Sequence, residues 1–236
     1  MRLGLSSAAA ADADIVALLA ACARRGLGVL ELCDEDDHGV TDGSTARAAA
    51  VVANDFGVEI AAYRVTRAPD AAAIADIAAG LDAPALLAHG ALSERIQTAG
   101  TLVHAGARAV VEVRGPAASW VEAIEGSGVD VAWQIDESVA DMAGDVQHAM
   151  RAIPERLRYV RLLGGGPEAA MAEGRGIGPL MGRLALERYG GPLILAPSSR
   201  RYRVAWEAWL GRRGGWGCGS RADREVVQLA PATVER

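Results

Sequence analysis

Glu31, Cys33, Arg64, His89, Glu112, Arg114, Gln134, Asp136 and Arg161 recur at, or just beyond, the ends of short apolar runs. Among them Glu112, Asp136 and His89 can carry protons, and burial can bring such groups towards neutral pKa values. They are the catalytic candidates. Arg64, Arg114 and Arg161 can grip an anion with paired N–H donors. A carboxylate–His–Arg set suits proton abstraction beside a carbonyl: one group takes the proton while a guanidinium holds the developing oxyanion. Glu31 and Gln134 join the arginines as substrate-binding candidates. Cys33 reads as a small buried hydrophobe in preference to a nucleophile.

Two further segments carry polar chemistry. The stretch Cys33-Asp34-Glu35-Asp36-Asp37-His38 reads as a solvated acidic loop, ahead of a divalent-cation site, with His38 lining the mouth of a pocket. The Gly-rich stretch from Gly164 to Pro179, with Arg175 in it, offers backbone N–H groups at a helix start to an anion. Ser198 and Ser199 lie nearby at a strand end, and Ser198 is a further binding candidate. His104 and His148 fall within helical runs and are expected to be structural or exposed.

The elements that must position these residues alternate regularly. Strands are expected at 1–6, 29–33, 58–63, 84–88, 108–113, 129–135, 157–163 and 192–196. Each is followed by an amphipathic helix: 12–25, 45–55, 69–81, 93–105, 117–125, 140–153, 178–189 and 202–210. Gly26 is the expected stop of the first helix and Ser93 the expected cap of the fourth. A series of eight βα units favours a closed (β/α)8 TIM barrel over a doubly wound sheet. In that fold the working residues sit at the C-terminal strand ends. Residues 1–211 would form the barrel and 212–236 an extension. Trp206, Trp209 and Trp216 would pack the last helix onto the barrel, with an interface in a homo-oligomer as the alternative.

Composition agrees. The chain has 236 residues, 51% of them hydrophobic, and a net charge of −6, so a nucleic-acid or membrane footprint is not expected. All 24 basic residues are Arg. Three scattered cysteines make neither a disulfide framework nor a zinc site. A cytoplasmic location is expected, since no signal peptide or long apolar run is evident.

The segments GLGVLEL at 26–32 and EGRGIGPLMGRLALERYGGPLILA at 173–196 resemble those of the xylose isomerase-like barrels, a family of sugar-phosphate isomerases and epimerases that includes endonuclease IV. The resemblance implies a divalent metal held by Glu, Asp, His and Glu on strands five to eight. Glu112 and Asp136 match the first two. Arg161 stands where His is expected, and Ala196 or Pro197 where Glu is expected. Half of that cage is missing, and Arg161 would repel a cation.

The expectation is therefore a small-molecule isomerase or epimerase-like enzyme that uses acid/base catalysis without a cofactor. Its substrate would be a sugar, polyol or related carbonyl compound, undergoing isomerisation, epimerisation, dehydration or cyclisation. One alternative restores Mn or Mg in an altered cage of Glu31, His89, Glu112 and Asp136. Another is a non-catalytic ligand-binding barrel.

Overall fold

The computed structural model describes residues 2–36, 38–68, 70–136, 142–164, 177–198 and 202–211. The strands are β1 (Leu3–Ser6), β2 (Val29–Cys33), β3 (Glu59–Val65), β4 (Ala85–Leu87), β5 (Ala109–Arg114), β6 (Asp130–Asp136), β7 (Leu157–Gly164) and β8 (Leu193–Pro197). They pair in chain order, all parallel, and β8 returns to β1 through Leu3 beside Leu193 to close the barrel. Around them run α1 (Ile15–Arg24), α2 (Gly43–Asp55), α3 (Ala71–Leu81), α4 (Leu92–His104), α5 (Val121–Ser127), α6 (Met142–Ala152), α7 (Ile177–Leu186) and α8 (Arg203–Gly211). The expected single-domain (β/α)8 TIM barrel is the observed fold. Among the described residues, no helix is long and apolar enough to cross a membrane.

Strand alternation divides the side chains into an outer set, buried under the helices, and an inner set. Val29, Ala62, Leu86, Val110, Ala132, Tyr159 and Ile194 form one inner cluster that fills the lower barrel. Two residues further along β2, β3, β5, β6 and β7 stand Glu31, Arg64, Glu112, Gln134 and Arg161. The barrel therefore holds an apolar layer below a polar one, stacked towards the C-terminal strand ends.

Local chemistry fixes the helix starts. Asp14 accepts the Ala17 amide at 2.9 Å, and Asp42 accepts the Ser44 and Thr45 amides at 2.9 Å. The fourth helix departs from expectation. Its cap position is Ala91, and Ser93 lies within the first turn. Glu94 reaches back to accept the amide of the cap residue Ala91 at 2.8 Å, and no side chain caps the first-turn amides. Gly26 adopts φ +67° just past the end of α1, which suits its stop role.

Trp206 is fully buried and meets Trp209 edge-on at 6.0 Å, while the Arg25 guanidinium lies 4.3 Å from the Trp209 ring. These contacts pack α8 against the barrel, as expected. The extension after 211, with Trp216, lies outside the described residues.

Gly4 permits a close approach inside the barrel wall: a Cβ there would stand 2.6 Å from Ile194 Cδ1 and 2.8 Å from the Val29 carbonyl oxygen. Gly4→Ala is expected to cost about 1–3 kcal/mol through overpacking, read as a lower Tm with the circular dichroism spectrum retained. An unchanged Tm would show that the wall yields to one methyl group.

Candidate active site at the barrel mouth

Two fully buried carboxylates organise the polar layer. Glu31 accepts from Ser6 Oγ at 2.7 Å, from Arg161 Nε at 3.0 Å and from the Tyr159 hydroxyl at 3.0 Å. Arg161 also donates through Nη1 to Gln134 Oε1 at 2.6 Å, and it is 4% exposed. Glu112 accepts from Arg64 Nε at 2.7 Å and Nη2 at 3.3 Å, and from Arg114 Nε at 2.7 Å and Nη2 at 2.6 Å. Nearly all of Arg161 and Arg64 is sheltered, whereas half of the Arg114 side chain reaches solvent.

Arg64, Glu112 and Arg114 are each held at their strand ends by a separate local contact. The Asp34 amide donates to the Arg64 carbonyl at 3.0 Å, and the Asp34 carboxylate collects the Thr66 and Arg67 amides. Arg95 on α4 donates to the Glu112 main-chain carbonyl. Beyond Arg114 the chain turns at Gly115, φ +76°, whose carbonyl takes the Trp133 indole N–H at 3.0 Å and that of Trp120 at 3.4 Å. The two indoles also meet edge-on at 5.5 Å, which fixes the turn.

The electrostatics follow from this packing. Burial alone would push the Glu112 carboxyl up, but Arg64, Arg161 and Arg114 together hold it down at about 2. Burial works against the charge on Arg64, and Glu112 outweighs it, raising the guanidinium above its ordinary value. Burial and Glu31 keep Tyr159 protonated well beyond its usual range. Burial first, then Glu31, pushes the Cys33 thiol up to about 11, so it stays a thiol at neutral pH, in line with its reading as a hydrophobe.

The site thus unites Glu31, Arg64, Glu112, Arg114, Gln134 and Arg161 with Ser6 and Tyr159. The last two were not singled out from sequence, although Tyr159 stands two residues before Arg161 on the same strand face and Ser6 ends β1. Asp136 is exposed at the end of β6, and Ser198 is exposed after β8, its amide bonded to the Gly164 carbonyl at 2.9 Å. His89 is not part of the network: it is exposed, with Nδ1 3.3 Å from the Thr66 carbonyl. Position 89 follows β4 and falls outside the alternation that turns Leu86 inward. Exposed positions on α4 and α6 hold His104 and His148, as expected.

The acidic stretch is also corrected. Asp34 is spent on loop amides. The Asp36 carboxylate is fully buried, takes a 2.6 Å bond from Ser7 Oγ, and lies 3.7 Å from His38 Nε2 and 3.6 Å from Arg203 Nη2. His38 is itself buried, with Nδ1 2.6 Å from the Ala13 carbonyl. Its ring N–H donates to that carbonyl and pins a loop in the interior, so His38 does not line the mouth. Asp34 and Asp36 serve as acceptors for amides, a hydroxyl and a cation of neighbouring segments. Glu35 alone of the described acids there is solvated. Arg175, Ser199 and residues 165–176 of the Gly-rich segment lie outside the described residues, as does Asp37.

A divalent metal does not suit these donors. The Glu112 oxygens face two guanidinium groups, and those of Glu31 are taken by Arg161, Ser6 and Tyr159. In the register, Glu112 stands beside Ala132, so Asp136 lies four residues further along, about 13 Å at the rise of a parallel strand. Among the described residues, no three His, Cys, Asp or Glu side chains come together as metal ligands. The altered cage of Glu31, His89, Glu112 and Asp136 is not assembled.

A parallel eight-stranded barrel with a charged constellation at its C-terminal mouth is the architecture of a small-molecule site. No family profile and no curated protein matches this sequence. Solved structures do match its fold. D-psicose 3-epimerase from Clostridium cellulolyticum H10 is 14% identical with a TM-score of 0.62, over 97% of this chain and 96% of that one. An L-ribulose 3-epimerase is 15% identical at 0.60, over 100% and 99%. A xylose isomerase domain protein from Salmonella typhimurium LT2 is 16% identical at 0.57, over 96% and 93%. The chain has the fold of the xylose isomerase-like barrels across nearly its whole length.

Glu112→Gln is expected to destabilise the protein by about 3–5 kcal/mol, because buried guanidinium groups lose their counter-charge. The folded-state value near 2 lies below the ordinary 4.5. Ionised Glu112 therefore stabilises the fold fully above about pH 4.5, and this contribution fades as pH falls towards 2. Denaturant unfolding across that window checks both points: the variant should lose less stability than the parent on acidification. Parallel curves would mean that Glu112 is not paired in solution.

Proposed function

We propose that this protein is an isomerase- or epimerase-like enzyme acting at the barrel mouth, without a divalent metal, on a sugar, polyol or related hydroxycarbonyl compound. The observation that carries the reading is the saturation of Glu112 by Arg64 and Arg114, with guanidinium capacity left over. Among the described residues, nothing takes up Nη1 of either arginine. Fixed cationic donors at a sheltered strand end favour an oxygen that becomes negative as a proton leaves the adjacent carbon. The fold shared with D-psicose 3-epimerase and L-ribulose 3-epimerase supports a sugar as the substrate class.

The roles then divide differently from the sequence-based assignment. Glu112, held near 2, is too weak a base at neutral pH and serves to hold Arg64 and Arg114 in place. Proton exchange with substrate is assigned to Asp136, an exposed carboxylate at the end of β6. Glu31, Tyr159, Ser6 and Gln134 fix Arg161. A second reading, ligand binding without turnover, is favoured by the same locked state of Glu112.

A panel of ketoses and aldoses, assayed with EDTA present, tests the proposal. Turnover is expected, and Asp136→Asn should lower kcat by about 10²–10⁴-fold, with a far smaller change in KM. Saturable binding with no conversion would establish the binding barrel instead. Activity abolished by EDTA and restored by Mn or Mg would overturn metal independence.

A further inference from the structure

A cavity of about 200 Å³ lies outside the barrel wall, lined by Val65, Arg67, Ala68, Leu87, His89, Glu94 and Arg95. Val65 and Leu87 end β3 and β4, and alternation turns them away from the interior that holds Arg64 and Leu86. They and Ala68 give the cavity an apolar floor. Its polar members are unequal in charge: two guanidinium groups and an imidazole face one acid. Glu94 is partly committed, since its Oε2 caps the Ala91 amide at 2.8 Å. His89 has one ring nitrogen against the Thr66 carbonyl at 3.3 Å, which leaves the other for a ligand.

Arg67 and Arg95 are differently prepared. The Arg67 main chain is anchored through its amide to Asp34 at 3.2 Å, while its side chain makes no hydrogen bond or ion pair among the described residues. Arg95 is half-buried, with Nη1 on the Glu112 carbonyl and Nε 3.4 Å from the Ala91 carbonyl. One cation is thus fixed by the scaffold and the other is available to close on a ligand.

We propose that this cavity binds a small organic carboxylate, with its apolar body on Val65, Leu87 and Ala68 and its charge between Arg67 and Arg95. A bare inorganic anion would use the guanidinium groups but leave the apolar floor wetted. A neutral molecule of the same shape would leave the cations unmatched. The site stands outside the barrel mouth and joins it only by main-chain contacts: Arg95 on the Glu112 carbonyl, and Asp34 between the Arg67 amide and the Arg64 carbonyl. It does not depend on the proposed reaction.

Titration of the full chain with benzoate, followed by isothermal calorimetry and by the shifts of the Val65, Leu87 and His89 resonances, tests this directly. Benzoate is expected to bind and to move those resonances. Arg67→Ala should weaken it by roughly tenfold, whereas Arg114→Ala at the mouth should leave it unchanged. Benzamide and inorganic phosphate should each bind more weakly than benzoate. The proposal fails if benzoate does not bind, if Arg67→Ala leaves its affinity intact, or if Arg114→Ala abolishes it. It fails equally if phosphate or benzamide matches benzoate, since the pocket would then read only charge or only shape.

Discussion

Buried charge must be matched, and in this barrel the matching is between two carboxylates and three arginines. Glu31 and Glu112 have no access to water, so each is tolerable only with cationic or hydrogen-bonding partners in direct contact. Arg161 answers Glu31 across the interior from β7, three strands away, and Arg64 and Arg114 answer Glu112 from β3 and from its own strand. Removing one member leaves the others uncompensated in a medium that screens poorly. The polar layer therefore behaves as a unit, and the depressed Glu112 carboxyl is its electrostatic signature.

The closed barrel makes such a layer possible. Eight parallel strands leave no edge, and every second residue of each strand is delivered to a common interior. Below, Val29, Leu86, Val110, Ile194 and the ring of Tyr159 seal it. Tyr159 joins the layers, with its ring in the apolar one and its hydroxyl on Glu31. The loops above are set by residues that touch the layer through its main chain only: Asp34 on the Thr66 amide and the Arg64 carbonyl, and the Trp120–Trp133 pair around the Gly115 carbonyl. Positioning of Arg64 and Arg114 is thus delegated to residues that need not meet a ligand.

A shared fold and a shared site are separate matters here. The barrel aligns end to end with sugar epimerase structures at identities of 14–15%, a level at which the backbone persists while side chains are replaced. At this mouth Arg64 and Arg114 occupy the Glu112 oxygens, and Arg161, Ser6 and Tyr159 occupy those of Glu31. A function carried by fold alone would overlook that arrangement; it is visible in the donor set.

The sequence by itself determined the element order, the closed-barrel class and the phase of most strands. β2 runs over the expected Val29–Cys33, and the polar residues at 31, 64, 112, 134 and 161 fall on the interior side as alternation requires. These are local properties, because a strand's period of two is written in adjacent residues. Only the tertiary structure decided which of them meet. Glu31 finds Arg161 at a separation of 130 residues, and Arg64 finds Glu112 at 48. It also buried Asp36 and His38, expected to be solvated or pocket-lining, and turned His89 outward. Those outcomes depend on how the sheet closes, how the strands are staggered and which loop amides lack acceptors. No short window of sequence contains that information.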